Sequence, residues 1–365
     1  MNQSHLLARH RGGHHHDHSA EHGRGGEPVE YAPPLVELKR GGLTESVHRG
    51  AIVVAGPDGR RVQGLGHPAM PTFLRSTAKP LQVAPVITSG AARAFDLSPA
   101  ELAVMCGSLN GEDFQVELVL GLLAKAGLGP EALQCGVHPP SHRPTAQALQ
   151  ARGESPRPEH NNCAGKHAGM LLLCAHLGYD VHDYTRPEHP VQRLILDTVA
   201  RLCNYPAEQI GLGVDGCGVP VFRLPLVSLA GAYARLAAPA KADLPAELSE
   251  ALAQISAACL AHPELIAGTG RLCTRLMQAK PGVFIAKTGA EGSYALALPS
   301  LGLGAAFQIE DGGMRALPPA ACRLLHCLGL LTHEELEGGL ADLARPGVKN
   351  HRGEEVAWLE PVFDW

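Results

Sequence analysis

The chain has no run of apolar residues near the ~20 needed to cross a membrane, so no membrane partner is expected. Its start, MNQSHLLARHRGG, lacks the apolar core and small-residue cleavage site of a secretion signal, and the protein is expected to be cytoplasmic. A basic excess is missing too. The 31 Lys and Arg against 36 Asp and Glu give a formal net charge of −5, which sets nucleic acid aside as the main partner. Aromatic residues make up 4%, too few to mark an interface as an aromatic cluster. Lysine is scarce: eight of the 31 basic residues, the other 23 being arginine. Three of the eight, Lys79, Lys166 and Lys287, fall in the stretches singled out below. Arginine does not lose its proton in a protein, so lysines kept at these places point to amines that must titrate. Given the expected compartment, the ten cysteines read as thiols or metal ligands rather than a disulfide framework, most of them as small buried apolar residues.

What is present is enough for a large core. The 365 residues are 45% hydrophobic, which fits one large domain or two intimate ones. Residues 1–34 are rich in His, Gly, Arg and Pro and read as a disordered tail; His14, His15, His16 and His18 could take up metal adventitiously. Residues 35–365 read as a single catalytic unit. Strand 50–55, the turn Pro57-Asp58-Gly59 and the return 61–66 form a hairpin. Helices are expected at 112–126, from a start in the polar half of 161–170 to about 177, and at 190–203, 226–237, 246–261, 270–279, 314–330 and 332–343, with a short strand at 210–214. Segments 283–287, 293–298 and 302–309 form an antiparallel meander, residues 135–159 a proline-punctuated loop, and the C-terminal end is irregular. The expected class is α/β (α+β): an antiparallel sheet completed by both chain ends, flanked by helices, with an inserted helical part.

Three short motifs carry chemistry. Ser76-Thr77-Ala78-Lys79 spaces a hydroxyl and an amine three residues apart, one face of a helix. Pro80, four residues after Ser76, is tolerated only where a helix has just begun, which leaves the Ser76 N–H free to meet an oxyanion. The plainer reading makes Ser76 a helix cap, which leaves Lys79 unexplained. Ser108-Leu109-Asn110 and Lys287-Thr288-Gly289 follow in the order found in serine acyl-transferring enzymes of the β-lactamase and penicillin-binding group. A fourth stretch places Cys163, Lys166 and His167 at i, i+3 and i+4, and a fifth sets Asp215 and Cys217 among glycines. Spacing alone selects Cys163, His167 and Cys217 as a metal set; the plainer reading is three reduced pocket residues.

Longer stretches narrow this. ESVHRG (45–50), RSTAKPLQ (75–82), CGSLNGE (106–112), NNCAGKHAGM (161–170), DGCGVP (215–220), GTGRLCT (268–274) and AKTGAEG (286–292) resemble the rhizobial-type, or class 3, L-asparaginases, from about residue 35 to 360. The resemblance implies the serine β-lactamase and glutaminase fold, a homodimer, and hydrolysis of L-asparagine to L-aspartate and ammonia. It implies two Ser–Lys pairs, Ser76 with Lys79 and Ser108 with Lys287, and zinc held by Cys163, Lys166 and Cys217. Asp215 would hold the substrate's amino group, while Arg75, His167 and Cys273 line or support the pocket. Thr288, Gly289 and Ala290 would border the substrate, the Ala290 N–H serving the oxyanion. Either serine can be the attacking one on this reading, and Ser76 is the expectation. Leu109 and Ala164 depart from the family's usual histidine and serine without removing a catalytic group. The alternatives are a glutaminase or penicillin-recognising hydrolase on the same fold, or a non-enzymatic zinc-binding interaction protein. The missing export signal weighs against the penicillin-recognising enzyme.

Overall fold

The computed structural model describes residues 30–365, so most of the expected tail, residues 1–34, lies outside the described residues. Eleven strands are present among them: β1 (Pro34–Arg40), β2 (Leu43–Ala55), β3 (Arg61–Leu65), β4 (Pro71–Phe73), β5 (Gly211–Val214), β6 (Pro220–Pro225), β7 (Ile285–Thr288), β8 (Ser293–Leu298), β9 (Leu303–Ile309), β10 (Gly347–Lys349) and β11 (Glu355–Pro361). The large sheet runs β10-β11-β1-β2-β9-β8-β7, with β3 paired to β2 off that path, and its pairings are antiparallel. Both chain ends complete it, as the sequence predicts.

Burial explains the strand sequences. Residues 50–55 of β2 lie between β3 and β9 and are all buried, as are all six residues of β8. Such strands need no polar alternation and read as continuous apolar runs. Each fully buried Val, Leu, Ile or Phe contributes about 1.5–3 kcal/mol. The helix Leu226–Ala237 packs across β2, β8 and β9, and Leu317–Cys327 lies against β1 and β11.

Four expectations change. Residues 355–361, read as an irregular end, form β11 and pair with β1 through Val36↔Pro361 to Arg40↔Ala357. The expected helix 332–343 is two short ones, His333–Glu337 and Ala341–Ala344, broken at Gly338-Gly339. The proline-rich loop 135–159 holds a helix, Arg143–Ala151. The short strand read at 210–214 is β5, and its place in a second sheet, β4-β6-β5, was not legible in the sequence.

Between β4 and β7 lies the expected helical part. Helices Lys79–Thr88, Pro99–Cys106, Asp113–Lys125 and Ala164–Leu177 pack on one another. The last approaches Pro99–Cys106 at backbone distance: a Cβ on Gly165 would stand 2.2 Å from the Val104 carbonyl oxygen, and one on Gly169 would stand 2.7 Å from the Met105 sulfur. These two glycines bring the Cys163 stretch against the Ser108 stretch. Among the described residues no helix is long and apolar enough to cross a membrane.

Candidate active site

Ser76 lies on a single 3-10 turn, Arg75–Ala78, immediately before the helix Lys79–Thr88, whose first turn holds Pro80. Arg75 has φ +48°, a left-handed conformation that costs a non-glycine residue of order 1–3 kcal/mol. Its guanidinium Nε donates to Asp215 Oδ1 at 3.0 Å, which helps hold it there. The expected pairing of Ser76 with Lys79 has no side-chain hydrogen bond among the described residues. The Lys79 N–H donates to the Ser76 carbonyl, but among the described residues no hydrogen bond reaches the Ser76 hydroxyl. The Lys79 amine turns elsewhere, to Gly107 O at 2.8 Å, Asn162 O at 2.9 Å and Ser108 Oγ at 3.2 Å.

Ser108 follows the helix Pro99–Cys106, and its N–H donates to Ile266 O at 2.8 Å. Its hydroxyl also meets the Lys287 amine at 2.7 Å, and that amine donates to Thr288 O at 3.2 Å. The structure thus brings together Ser108, Lys79 and Lys287, with one hydroxyl between two fully buried amines. Burial lowers the Lys79 pKa, the Cys163 charge opposing and Lys166 adding to it. Burial also pulls Lys287 down to about 7, helped by the neighbouring Lys79.

Strand β7 carries Lys287 and Thr288 past the Ser76 turn. A Cβ on Gly289 would come within 3.0 Å of Leu74 O, so this strand end and the turn are in contact. Cys273 stands by the strand: the Thr288 N–H donates to its sulfur at 3.2 Å, and the sulfur lies 3.0 Å from Thr288 Oγ1. Among the described residues neither the Ser76 N–H nor the Ala290 N–H has an acceptor.

The Cys163 helix start is set by Asn161, whose Oδ1 accepts the Cys163 N–H at 2.8 Å. Around it the sulfurs of Cys163 and Cys217 and a carboxylate oxygen of Asp215 all lie within 4.8 Å of one another. Asp215 Oδ2 is 3.6 Å from the Lys166 amine and 3.8 Å from the Cys217 sulfur. This corrects the set chosen by spacing. The His167 ring Nδ1 shares a hydrogen bond with Tyr184 Oη at 2.7 Å, and His167 takes no part in the group; Asp215 stands in its place. The hydrogen bond with Cys217 holds the Cys163 thiol well below its ordinary range, against burial, while the same bond and burial push Cys217 up. Burial would lower Lys166, but Cys163, Cys217 and Asp215 outweigh it and raise its pKa. Burial would also raise Asp215, and Lys166 and Arg75 overcome it, leaving the carboxyl below its usual value. Two sulfurs and a carboxylate in mutual reach suit zinc; a lysine amine joins them only after losing its proton.

Other residues of the site escaped sequence reasoning. Asn162 supplies a carbonyl to Lys79 and another bond to the Leu109 N–H, 3.1 Å. Asn110 and Glu112, both buried, tie the Ser108 turn to the loop at Thr269, and Arg271 donates to Asn110 Oδ1 at 3.0 Å. The available signal was that these polar residues stand inside the long motifs. Beside the site a cavity of about 440 Å³ is lined by Arg75 together with Phe73, Val214, Glu291, Gln308 and Glu310, among others.

No curated protein matches the chain. Its fold is similar to that of a protein described as Mglu in its native form, with TM-score 0.41 and 14% identity over 79% of this chain and 67% of that one. It is also similar to a β-lactamase from Mycobacterium bovis, with TM-score 0.39 and 15% identity over 77% and 95% of the two chains. A D-alanine carboxypeptidase from Burkholderia cenocepacia gives TM-score 0.38 and 15% identity over 76% and 93%. The family model described as L-asparaginase II matches residues 36–361, a span that contains every site residue placed above, and the chain belongs to the L-asparaginase II family.

Proposed function

We propose that this protein hydrolyses L-asparagine to L-aspartate and ammonia through a serine acyl-enzyme. The observation that carries the reading is a hydroxyl, Ser108, set between two buried lysine amines beside a second serine whose backbone N–H is free. Ser76 attacks the side-chain amide carbon, and Lys79, whose pKa burial lowers, takes the hydroxyl proton. The oxyanion is met by the N–H groups of Ser76 and Ala290, and losing one such donor costs about 2.7–4 kcal/mol of barrier. As the C–N bond breaks, the proton passes through Ser108 to the departing ammonia. Water then attacks the ester carbon and gives its proton to Lys79, which passes it to the Ser76 oxygen as the ester bond breaks and L-aspartate leaves. Asp215, below its usual pKa and next to Arg75, pairs with the substrate's α-ammonium. Cys163 and Cys217, with Asp215 and Lys166 at hand, would hold zinc, which supplies a fixed positive charge that orders the Asp215 loop. We read the protein as a cytoplasmic homodimer acting on a small molecule, with no nucleic acid or membrane partner.

A second reading has an observation of its own. Both amines bond Ser108 and neither bonds Ser76, which favours Ser108 as the attacking group. The test of the function is ammonia release from L-asparagine and, separately, L-glutamine, with Ser76→Ala as control. Release from asparagine above glutamine supports the reading. A glutamine preference makes the protein a glutaminase, since one methylene is worth only about 1–3 kcal/mol in a pocket. Release from neither removes it.

Two further outcomes are expected. A lysine that accepts a proton must be neutral, and burial lowers the pKa of Lys79, so kcat/KM is expected to rise with pH along a limb below the ordinary lysine range and to level off above it. An acid limb in the carboxylate range instead would place the base on another residue. Metal analysis is expected to find about one zinc per chain, lost in Cys163→Ser and Cys217→Ser and kept in His167→Gln. Zinc retained by both serine variants would move the site.

A further inference from the structure

We propose that Arg271 recognises the α-carboxylate of the substrate and so sets the preference for a free amino acid over a simple amide. This rests on the amidohydrolase reading above. Arg271 stands before the helix Leu272–Ala279, in a loop fixed relative to Ser108. Thr269 gives its N–H to Glu112 Oε2 at 2.8 Å and its carbonyl to the Asn110 amide at 3.1 Å. Gly268, at φ +113°, has no room for a side chain, because a Cβ would meet the Asn110 amide at 2.6 Å. Asn110 and Ser108 share one turn, so this loop cannot shift without moving the Ser108 hydroxyl.

The guanidinium is half-buried and spends one N–H, on Asn110 Oδ1 at 3.0 Å. Among the described residues it has no carboxylate partner, and its other N–H donors have no acceptor. Glu112, which shares Asn110 with it, is turned to the Thr269 N–H, the Asn110 amide and, at 3.7 Å, the His142 ring. Arg75, the other arginine of the site, is already committed to Asp215. The Arg271 charge is also felt at Lys287, whose proton it helps to expel, so it lies on the Ser108–Lys287 side of the site. L-Asparagine carries one anion, its α-carboxylate. A guanidinium with a free fork of donors binds a carboxylate through two parallel bonds. Asp215 at the ammonium and Arg271 at the carboxylate would then read the two charges that distinguish a free amino acid.

The test compares L-asparagine with 3-aminopropanamide, which keeps the amine and the amide and lacks the carboxylate. Above the pH at which Lys287 is neutral, Arg271→Gln is expected to raise KM for L-asparagine about 10–100-fold beyond any change with 3-aminopropanamide, losses through Lys287 or Asn110 falling on both substrates alike, and to recover in part as Arg271→Lys. Equal losses on both substrates, or an unmoved KM for L-asparagine, would overturn the assignment. Calorimetry needs no turnover and separates the two claims. If the wild type hydrolyses no amide, the amidohydrolase reading fails. A wild-type preference for L-aspartate over 3-aminopropanoate, lost in Arg271→Gln, would still keep the carboxylate site; no such preference removes it.

Discussion

Ser76→Ala is expected to lose on the order of 10⁴-fold in kcat and to form no covalent intermediate. Ser108→Ala is expected to slow turnover by about 10²–10⁴-fold and still to acylate Ser76, because it removes a proton relay and leaves the attacking oxygen. The measurement is mass spectrometry of protein quenched during turnover with L-asparagine, followed by peptide mapping of an aspartyl ester. An adduct on the peptide holding Ser76, still present in Ser108→Ala, fixes the order of events. An adduct on Ser108, absent from Ser108→Ala and present in Ser76→Ala, reverses the two serines. The geometry gives each serine one asset. Ser108 has both amines, at 2.7 and 3.2 Å, while Ser76 has a free backbone N–H on the turn that touches the Ala290 end of β7. An acyl ester needs oxyanion donors at its own carbonyl, and in the proposed mechanism these are the N–H groups of Ser76 and Ala290. For that reason the larger loss is assigned there.

The three lysines singled out for their scarcity lie in two neighbouring clusters. Lys79 and Lys287 meet at one hydroxyl, and Lys166 stands beside the Cys163 group. The partner of Lys79 was not legible. Three residues apart share a face on a 3-10 turn as on an α-helix, but distant acceptors, the carbonyls of Gly107 and Asn162 and the Ser108 hydroxyl, take the amine, and no local spacing shows them. The same limit applies to His167. Four residues from Cys163 suggests a common ligand, yet the ring is engaged by Tyr184, and the third donor, Asp215, comes from a loop fifty-odd residues away. Local pattern sees helices such as Pro190–Cys203, where apolar positions recur every turn. It misses strands whose only reason is a distant partner. Strand β11 exists because β1 lies beside it, and β6, bounded by Pro220 and Pro225, because β4 and β5 flank it.

Lys79→Met is expected to abolish turnover, by about 10²–10⁴-fold, while costing only a modest part of the stability. Methionine has nearly the shape of the lysine stem and fits a site that is fully buried. Two terms then oppose each other. The Gly107 carbonyl loses its donor, at about 1–3 kcal/mol, while the Asn162 carbonyl keeps the Leu109 N–H. Against this, no amine has to be desolvated, the burden that lowers the Lys79 pKa in the first place. The expected melting shift is therefore a few degrees downward, with zinc content unchanged. Lys79→Arg separates a strut from a proton carrier. Arginine keeps the charge and can still donate to the two carbonyls, but it does not give up its proton. A strut role predicts that arginine restores activity. The proton-transfer role predicts that it remains as inactive as methionine, although its melting temperature lies nearer the wild type. Activity regained in Lys79→Arg would therefore move the base to Lys287, whose amine already touches the same hydroxyl at 2.7 Å.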